Sequence, residues 1–263
     1  MSPNRTGYPR WLGWGIGATT AVVLLLTGYA AFFSGDGEPS RTSDRPAAAT
    51  TDTGPNQTYD APSDWTEPER WAVLPRGART DRYGNEVGFP HTTEGAVAML
   101  VASNSTEVKY GHSHVQEQLT AYESYLIPAD RTAENREMIE LEAVRLDSQM
   151  RRSMGLPPGS DLPAGAYARN LIVGFQVRHT SATEADVWLL SRVTDKSGET
   201  EKERETYTRS LAAAEWDGTD WRLSAASTEN SIRRHANGSR PPFAAPGDAV
   251  FNSGGWTAIR AAS

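Results

Sequence analysis

Cysteine is absent from the 263 residues, so no disulfide, thiolate nucleophile or Cys-containing metal site is available and packing alone must hold the chain together. Lysine is almost absent as well: it stands only at positions 109, 196 and 202, and the other basic residues are all arginine. Positive charge is in deficit overall. The formal net charge is -7, and because Arg5 and Arg10 are the only charges among the first 33 residues, everything after them carries -9 (-7 minus 2). Affinity for phosphates comes from clustered Lys and Arg, so this balance argues against nucleic acid as a direct ligand. No Gly-rich phosphate loop is present, and Ser105, Ser153 and Ser210 sit in no nucleophile-elbow motif.

Long apolar runs are scarce too, with one exception. Trp11 to Phe33 carries no charge, with Trp11 and Trp14 at one end and Tyr29, Phe32 and Phe33 at the other. As a helix rising about 1.5 Å per residue it would be about 34 Å long, enough for a hydrocarbon core of about 30 Å, and its aromatics fall where interfacial belts are wanted. Arg5 and Arg10 precede it and Asp36 and Glu38 follow it, so the positive-inside bias keeps residues 1–10 in the cytoplasm and puts the bulk of the chain outside. A cleavable secretory signal is the rival reading, with Arg5 and Arg10 as its n-region and a cut near Ala30 and Ala31. Both lead to an extracytoplasmic destination. The expectation is a single-pass cell-membrane protein with a spanning helix at 11–33.

Residues 34–64 are rich in Gly, Pro, Ser, Thr and Asp and bury too little surface to offset the entropy of ordering, which reads as a disordered linker. Residues 65–227 then supply enough sequence for one domain. After Phe89-Pro90-His91, Thr92 or Thr93 can cap a helix with Glu94 in its first turn, and the run from Gly95 to Ala102 is apolar all round. This is the expected central core helix, its Gly95, Ala96, Ala98 and Ala102 allowing close backbone approach. A second helix is expected over Ser113 to Leu126 and a third over Thr132 to Met154, with Ile139, Ala143, Leu146 and Met150 as the buried stripe of the latter. The period then turns to alternation. Tyr167 to His179, Asp186 to Thr194, Glu203 to Trp216 and Asp220 to Ala226 read as four strands, with Leu171, Val173, Phe175 and Val177 on one face. The expected fold is α+β: a curved antiparallel four-stranded sheet packed on about three helices, preceded by one transmembrane helix. Residues 228–263 form a Gly/Pro-rich tail whose Trp256 and Ile259 tack its end back onto the domain. The third strand, alternating Thr206, Thr208 and Ser210 with Tyr207, Arg209 and Leu211, is expected to leave a mixed polar face open to partners.

The N-terminal span, the polar linker, the stretch Gly-Phe-Pro-His-Thr-Thr-Glu-Gly-Ala-Val-Ala-Met-Leu, and the turn Trp216-Asp-Gly-Thr-Asp-Trp-Arg-Leu together resemble actinobacterial single-pass membrane proteins with a cone-shaped domain like nuclear transport factor 2. Within that group the layout is similar to the inner-membrane assembly subunit of type IV secretion and conjugation machines. The resemblance implies a membrane-anchored binding or assembly protein, not an enzyme, whose partners are other membrane-complex subunits or further copies of itself. The alternative is an anchored small-molecule binder or enzyme using a pocket between sheet and helices.

Candidate chemistry is sparse, and no catalytic, cofactor-binding or metal-ligating residue is assigned. His112 and His114 with Glu117 could approach a metal, but side chains two residues apart on a helix diverge. His179 and Asp186 fall at the ends of adjacent strands, where they could serve as base and orienter or cap a turn. His91 reads as a loop residue under the core helix. Trp188, Trp216 and Trp221 read as core or cross-strand pairs, with a ligand-lining pocket as the alternative.

Overall fold

The computed structural model describes residues 64–260. The expected span at 11–33, the cytoplasmic N-terminus and nearly all of the linker lie outside the described residues. Among the described residues no helix is long and apolar enough to cross a membrane.

Local chemistry sets the helices. Helix α1 (Thr93–Asn104) begins where the Thr92 hydroxyl accepts the Gly95 N–H at 3.1 Å, and Gly95 to Leu100 is buried without interruption. Helix α2 (His114–Tyr125) opens on a capping box: Gln116 N–H donates to the Ser113 hydroxyl at 3.3 Å and Ser113 N–H donates to the Gln116 carbonyl at 3.0 Å. Helix α3 (Ala133–Ser153) is capped by Thr132, which accepts the Asn135 N–H at 3.1 Å, and ends on Arg151 and Arg152, where the helix dipole favours positive charge. Its buried stripe contains Ile139, Ala143, Leu146 and Met150.

The sheet is where expectation and structure part. It has seven strands and is mixed, in place of the four antiparallel strands read from the sequence. Three long strands, β5 (Tyr167–Thr180), β6 (Glu184–Lys196) and β7 (Arg204–Trp216), form its antiparallel centre. The expected fourth strand shrinks to β8 (Trp221–Arg222), because Ser224 accepts the Ser227 N–H at 3.1 Å and starts helix α4 (Ala225–His235). On the far edge of β5, its first residues pair with β4 (Thr106–Lys109) and its middle pairs with β9 (Thr257–Arg260). Strand β1 (Trp71–Val73) lies parallel to β9 and makes the sheet mixed, joining the two ends of the described chain. A separate small hairpin, β2 (Arg79–Thr80) with β3 (Glu86–Val87), precedes α1.

Layering follows from burial on both faces of β6. Ala185, Val187 and Leu189 join the core under α1, α2 and α3, whereas Trp188 and Leu190 join a second core with Phe251, Trp256 and Ala258. That second core is built by the segment read as a tail. It carries α4 and the short helix α5 (Ala249–Ser253), which form the third layer of the molecule, and β9, which joins the sheet. Its prolines and glycines lie in the connections, where Trp256 Nε1 donates to the Pro242 carbonyl at 3.0 Å. The expected open polar face of β7 is corrected on the same ground. Thr208 and Ser210 are buried beneath the helices, while Arg209 is buried on the opposite face, donates to the Pro241 carbonyl and stacks its guanidinium 4.1 Å from the Phe243 ring centre.

The shared face expected for β5 is also corrected. The β5–β6 register shifts between Ile172 and Gly174, so Val173 is an inserted residue and the facing inverts across it. Ile172 and Phe175 both face the helical core, Val173 packs on the second core, and Leu171 and Val177 are each 38% exposed.

Candidate functional site

Each titratable pair singled out from the sequence is drawn into separate company. His112 Nε2 contacts the Glu117 carboxylate at the surface, whereas His114 is buried and donates from Nδ1 to Asp147 Oδ1 at 2.7 Å. The two imidazoles therefore serve different carboxylates, and among the described residues no group of three or more His, Asp or Glu is placed to hold a metal. His179 does stand opposite Asp186 in the ladder. The Asp186 carboxylate is nonetheless occupied from α4: Arg234 donates to it, His235 Nε2 lies 2.9 Å from the same oxygen, and Arg234 also reaches Glu184 at 2.7 Å. This cluster fastens the C-terminal turn of α4 to the start of β6. Its partners come from beyond the boundary drawn at residue 227, which is why the pairing was not legible.

His91 packs against the last hairpin. Its ring stacks on Trp216 at 3.9 Å between centroids with planes 9° apart, and Nε2 donates to the Ala182 carbonyl. Trp216 and Trp221 pair across the β7–β8 hairpin, edge to face at 5.5 Å, while Trp188 belongs to the second core. Of the three tryptophans, two meet, and they meet as packing.

Asp195 is a buried carboxylate with one internal ion pair. Arg204 donates to Oδ2 at 2.6 Å through Nη2, while Oδ1 makes no hydrogen bond among the described residues. Burial pushes its pKa above the ordinary carboxylate value, and Arg204 offsets this only in part. With a folded pKa above the unfolded one, the native state holds a proton that the unfolded chain has released, so this group's contribution to stability falls as pH rises through that interval. Asp195→Asn removes the charge and leaves the half-exposed Arg204 hydrated. It is expected to be neutral to about 1 kcal/mol more stable at pH 7, the gain shrinking on acidification. Urea melts of both proteins at pH 4 and pH 7 measure this, and a gain that grows toward low pH would overturn it.

One open cleft of about 480 Å³ lies where β5 meets the α5–β9 turn, lined by Arg70, Gln176, Arg178, Gly254 and Gly255 among others. It is not the pocket between sheet and helices that the alternative reading requires. Arg70 Nη2 donates to the Trp256 carbonyl at 3.3 Å and Gln176 donates to Gly254, so both donors are already used to hold the turn.

Helix α3 offers a surface of a different kind. Besides the stripe it buries, it presents Met138, Leu141 and Val144 outward, 43%, 61% and 50% exposed. At 3.6 residues per turn these follow one another along a single face, roughly opposite the buried stripe. The outer row is masked in the sequence because Ile139, Ala143, Leu146 and Met150 already account for an amphipathic helix. Its signal is the apolar residue at each of 138, 141 and 144 among Glu and Arg. Comparison with protein-family models, with curated proteins and with solved structures finds no match to this chain.

Proposed function

We propose that residues 64–260 are a binding and assembly domain, held outside the cytoplasmic membrane by the Trp11–Phe33 span and working within a multi-subunit membrane complex of the conjugative-transfer or secretion kind. The observation that carries this reading is the outward apolar row of α3, on a molecule whose central strand β6 is covered on both faces. An exposed apolar row flanked by charge is the anatomy of a reversible protein contact. The buried titratable pairs support the same reading, since each is committed to joining one element to another: His114 to Asp147 between α2 and α3, Arg204 to Asp195 between β7 and β6, and Arg234 and His235 of α4 to Asp186 of β6. Tethering would strengthen a modest contact, because confinement raises the effective concentration of one partner near the other.

Protease added to intact protoplasts is expected to remove the domain while sparing the N-terminus, and amine-reactive crosslinking is expected to capture partners from the full-length chain far better than from residues 64–263 at equal bulk concentration. Protection of the whole chain from protease would sink the topology. Equal crosslinking with and without residues 1–63 would sink tethered assembly.

A further inference from the structure

We infer that the partner of the outer face of α3 is a second copy of the same chain, the two helices packing antiparallel about a twofold axis at Leu141. This deepens the binding reading above and rests on it. The inference comes from how charge is laid along the helix. Glu134, Glu137 and Glu140 occupy its N-terminal half, and Arg145, Arg151 and Arg152 its C-terminal half, with the apolar row between.

With the axis at Leu141, Leu141 meets its own copy, Met138 lies opposite the partner's Val144, and Glu137 lies opposite the partner's Arg145. Glu134 then faces the partner's Ser148. Residues 134, 137, 141, 144 and 148 of one helix alternate by three and four, the spacing of a helix–helix seam, and about this axis they meet residues 148, 145, 141, 138 and 134 of the other. A parallel pair would stack Glu137 on Glu137 and Arg145 on Arg145, so repulsion selects against it. Arg145 is bound within its own helix by Glu142, and Arg151 by the Ser160 carbonyl at 2.7 Å and by Asp147 at 3.9 Å. Arg145 can share its guanidinium with a second carboxylate across the seam, and Arg152 stays exposed for the partner's acidic end. On the remaining sides, Arg136 pairs with Glu123 of α2 and does not enter the seam.

Three apolar side chains per copy bury far less than the roughly 800 Å² per partner of a standard stable complex. The dimer is therefore weak when the domain is free in solution and forms when two copies share a membrane.

The absence of cysteine makes the test direct, since any thiol is one that was introduced. In membranes holding the full-length chain, Leu141→Cys is expected to give a disulfide-linked homodimer on mild oxidation. Glu134→Cys alone is expected to give almost none, because its two copies stand about 21 Å apart along the antiparallel pair, beyond the roughly 4.4–6.8 Å Cα separation of a disulfide. Co-expressed Glu134→Cys and Ser148→Cys chains should link to each other. Leu141→Glu should lower amine-reactive homodimer crosslinking at least about tenfold. Efficient self-linking at Glu134 would overturn the antiparallel pair. If Leu141→Cys, labelled with a maleimide that carries a benzophenone and then irradiated, links only to other envelope proteins, self-association is overturned while the binding reading stands. Links to nothing at all would overturn both.

Discussion

Replacing Asp220 with alanine is expected to lower the unfolding free energy by about 3–5 kcal/mol, the largest loss from any polar side chain in the domain. This carboxylate is 1% exposed, and three backbone N–H groups converge on it. Gly88 donates to Oδ2 at 2.6 Å, and Phe89 and Trp221 each donate to Oδ1 at 2.9 Å. Arg222 stands 3.5 Å from Oδ2 and donates from Nη1 to the Ser124 carbonyl at 2.6 Å, which ties the same point to α2. Bonds to a charged acceptor are worth about 1.5–3 kcal/mol each, so three would exceed the expected loss if they simply added. They share one acceptor, and water can enter the opened loop, so the sum is not reached. Asp220→Asn should lose roughly half as much, since the amide keeps one acceptor and turns a donor toward donors. Urea denaturation with the slope unchanged and the midpoint shifted would show it. An Asp220→Ala midpoint within error of wild type would mean that the loop is held by something else.

How much of this could be read from the chain depends on whether the deciding contact is near in sequence. The three large helices were legible because Thr92, Ser113 and Thr132 bond N–H groups three residues away, and such chemistry is complete within one turn. The long strands were legible by period. The sheet's far edge was not, since β1 and β9 pair Ala72 with Ile259 and no local pattern announces a partner that distant. Helix α4 reads as strand and tail in the sequence because it has few apolar residues and no acid three positions after its Ser224 cap. For the site the same rule holds in reverse. His179 and Asp186 were found as neighbours by register, but the groups that occupy Asp186 stand 48 and 49 residues later in the sequence, in a segment whose composition reads as loop. The inverted face of β5 is hidden too, because one inserted residue at Val173 changes which side the side chains take as far as Val177, where a second register shift follows, and neither leaves a mark in the alternation.

Gly95→Ala is expected to destabilise the protein by about 3 kcal/mol or more, although alanine is the better helix former by about 1 kcal/mol. The two effects oppose each other, and distance decides between them. A Cβ on Gly95 would lie 1.9 Å from the Pro90 carbonyl oxygen and 2.9 Å from its carbon, both backbone atoms. No side-chain rotation relieves that contact, so the chain at Pro90 or the first turn of α1 must move by more than an ångström. The same oxygen accepts Trp221 Nε1 at 2.9 Å, and the residue before it, Phe89, is buried and bound to Asp220. Moving it therefore breaks the indole hydrogen bond and strains the Asp220 junction. Gly95 reads in the sequence as a residue that admits a close backbone, and that backbone is the chain five residues earlier, doubling back over its own helix. Because Gly95 and Asp220 act on one loop, their losses should not add: Gly95→Ala in an Asp220→Ala background is expected to cost at least about 1 kcal/mol less than in wild type. A double-mutant cycle from urea midpoints measures this, and full additivity would show that the Pro90 contact and the Asp220 hub are independent.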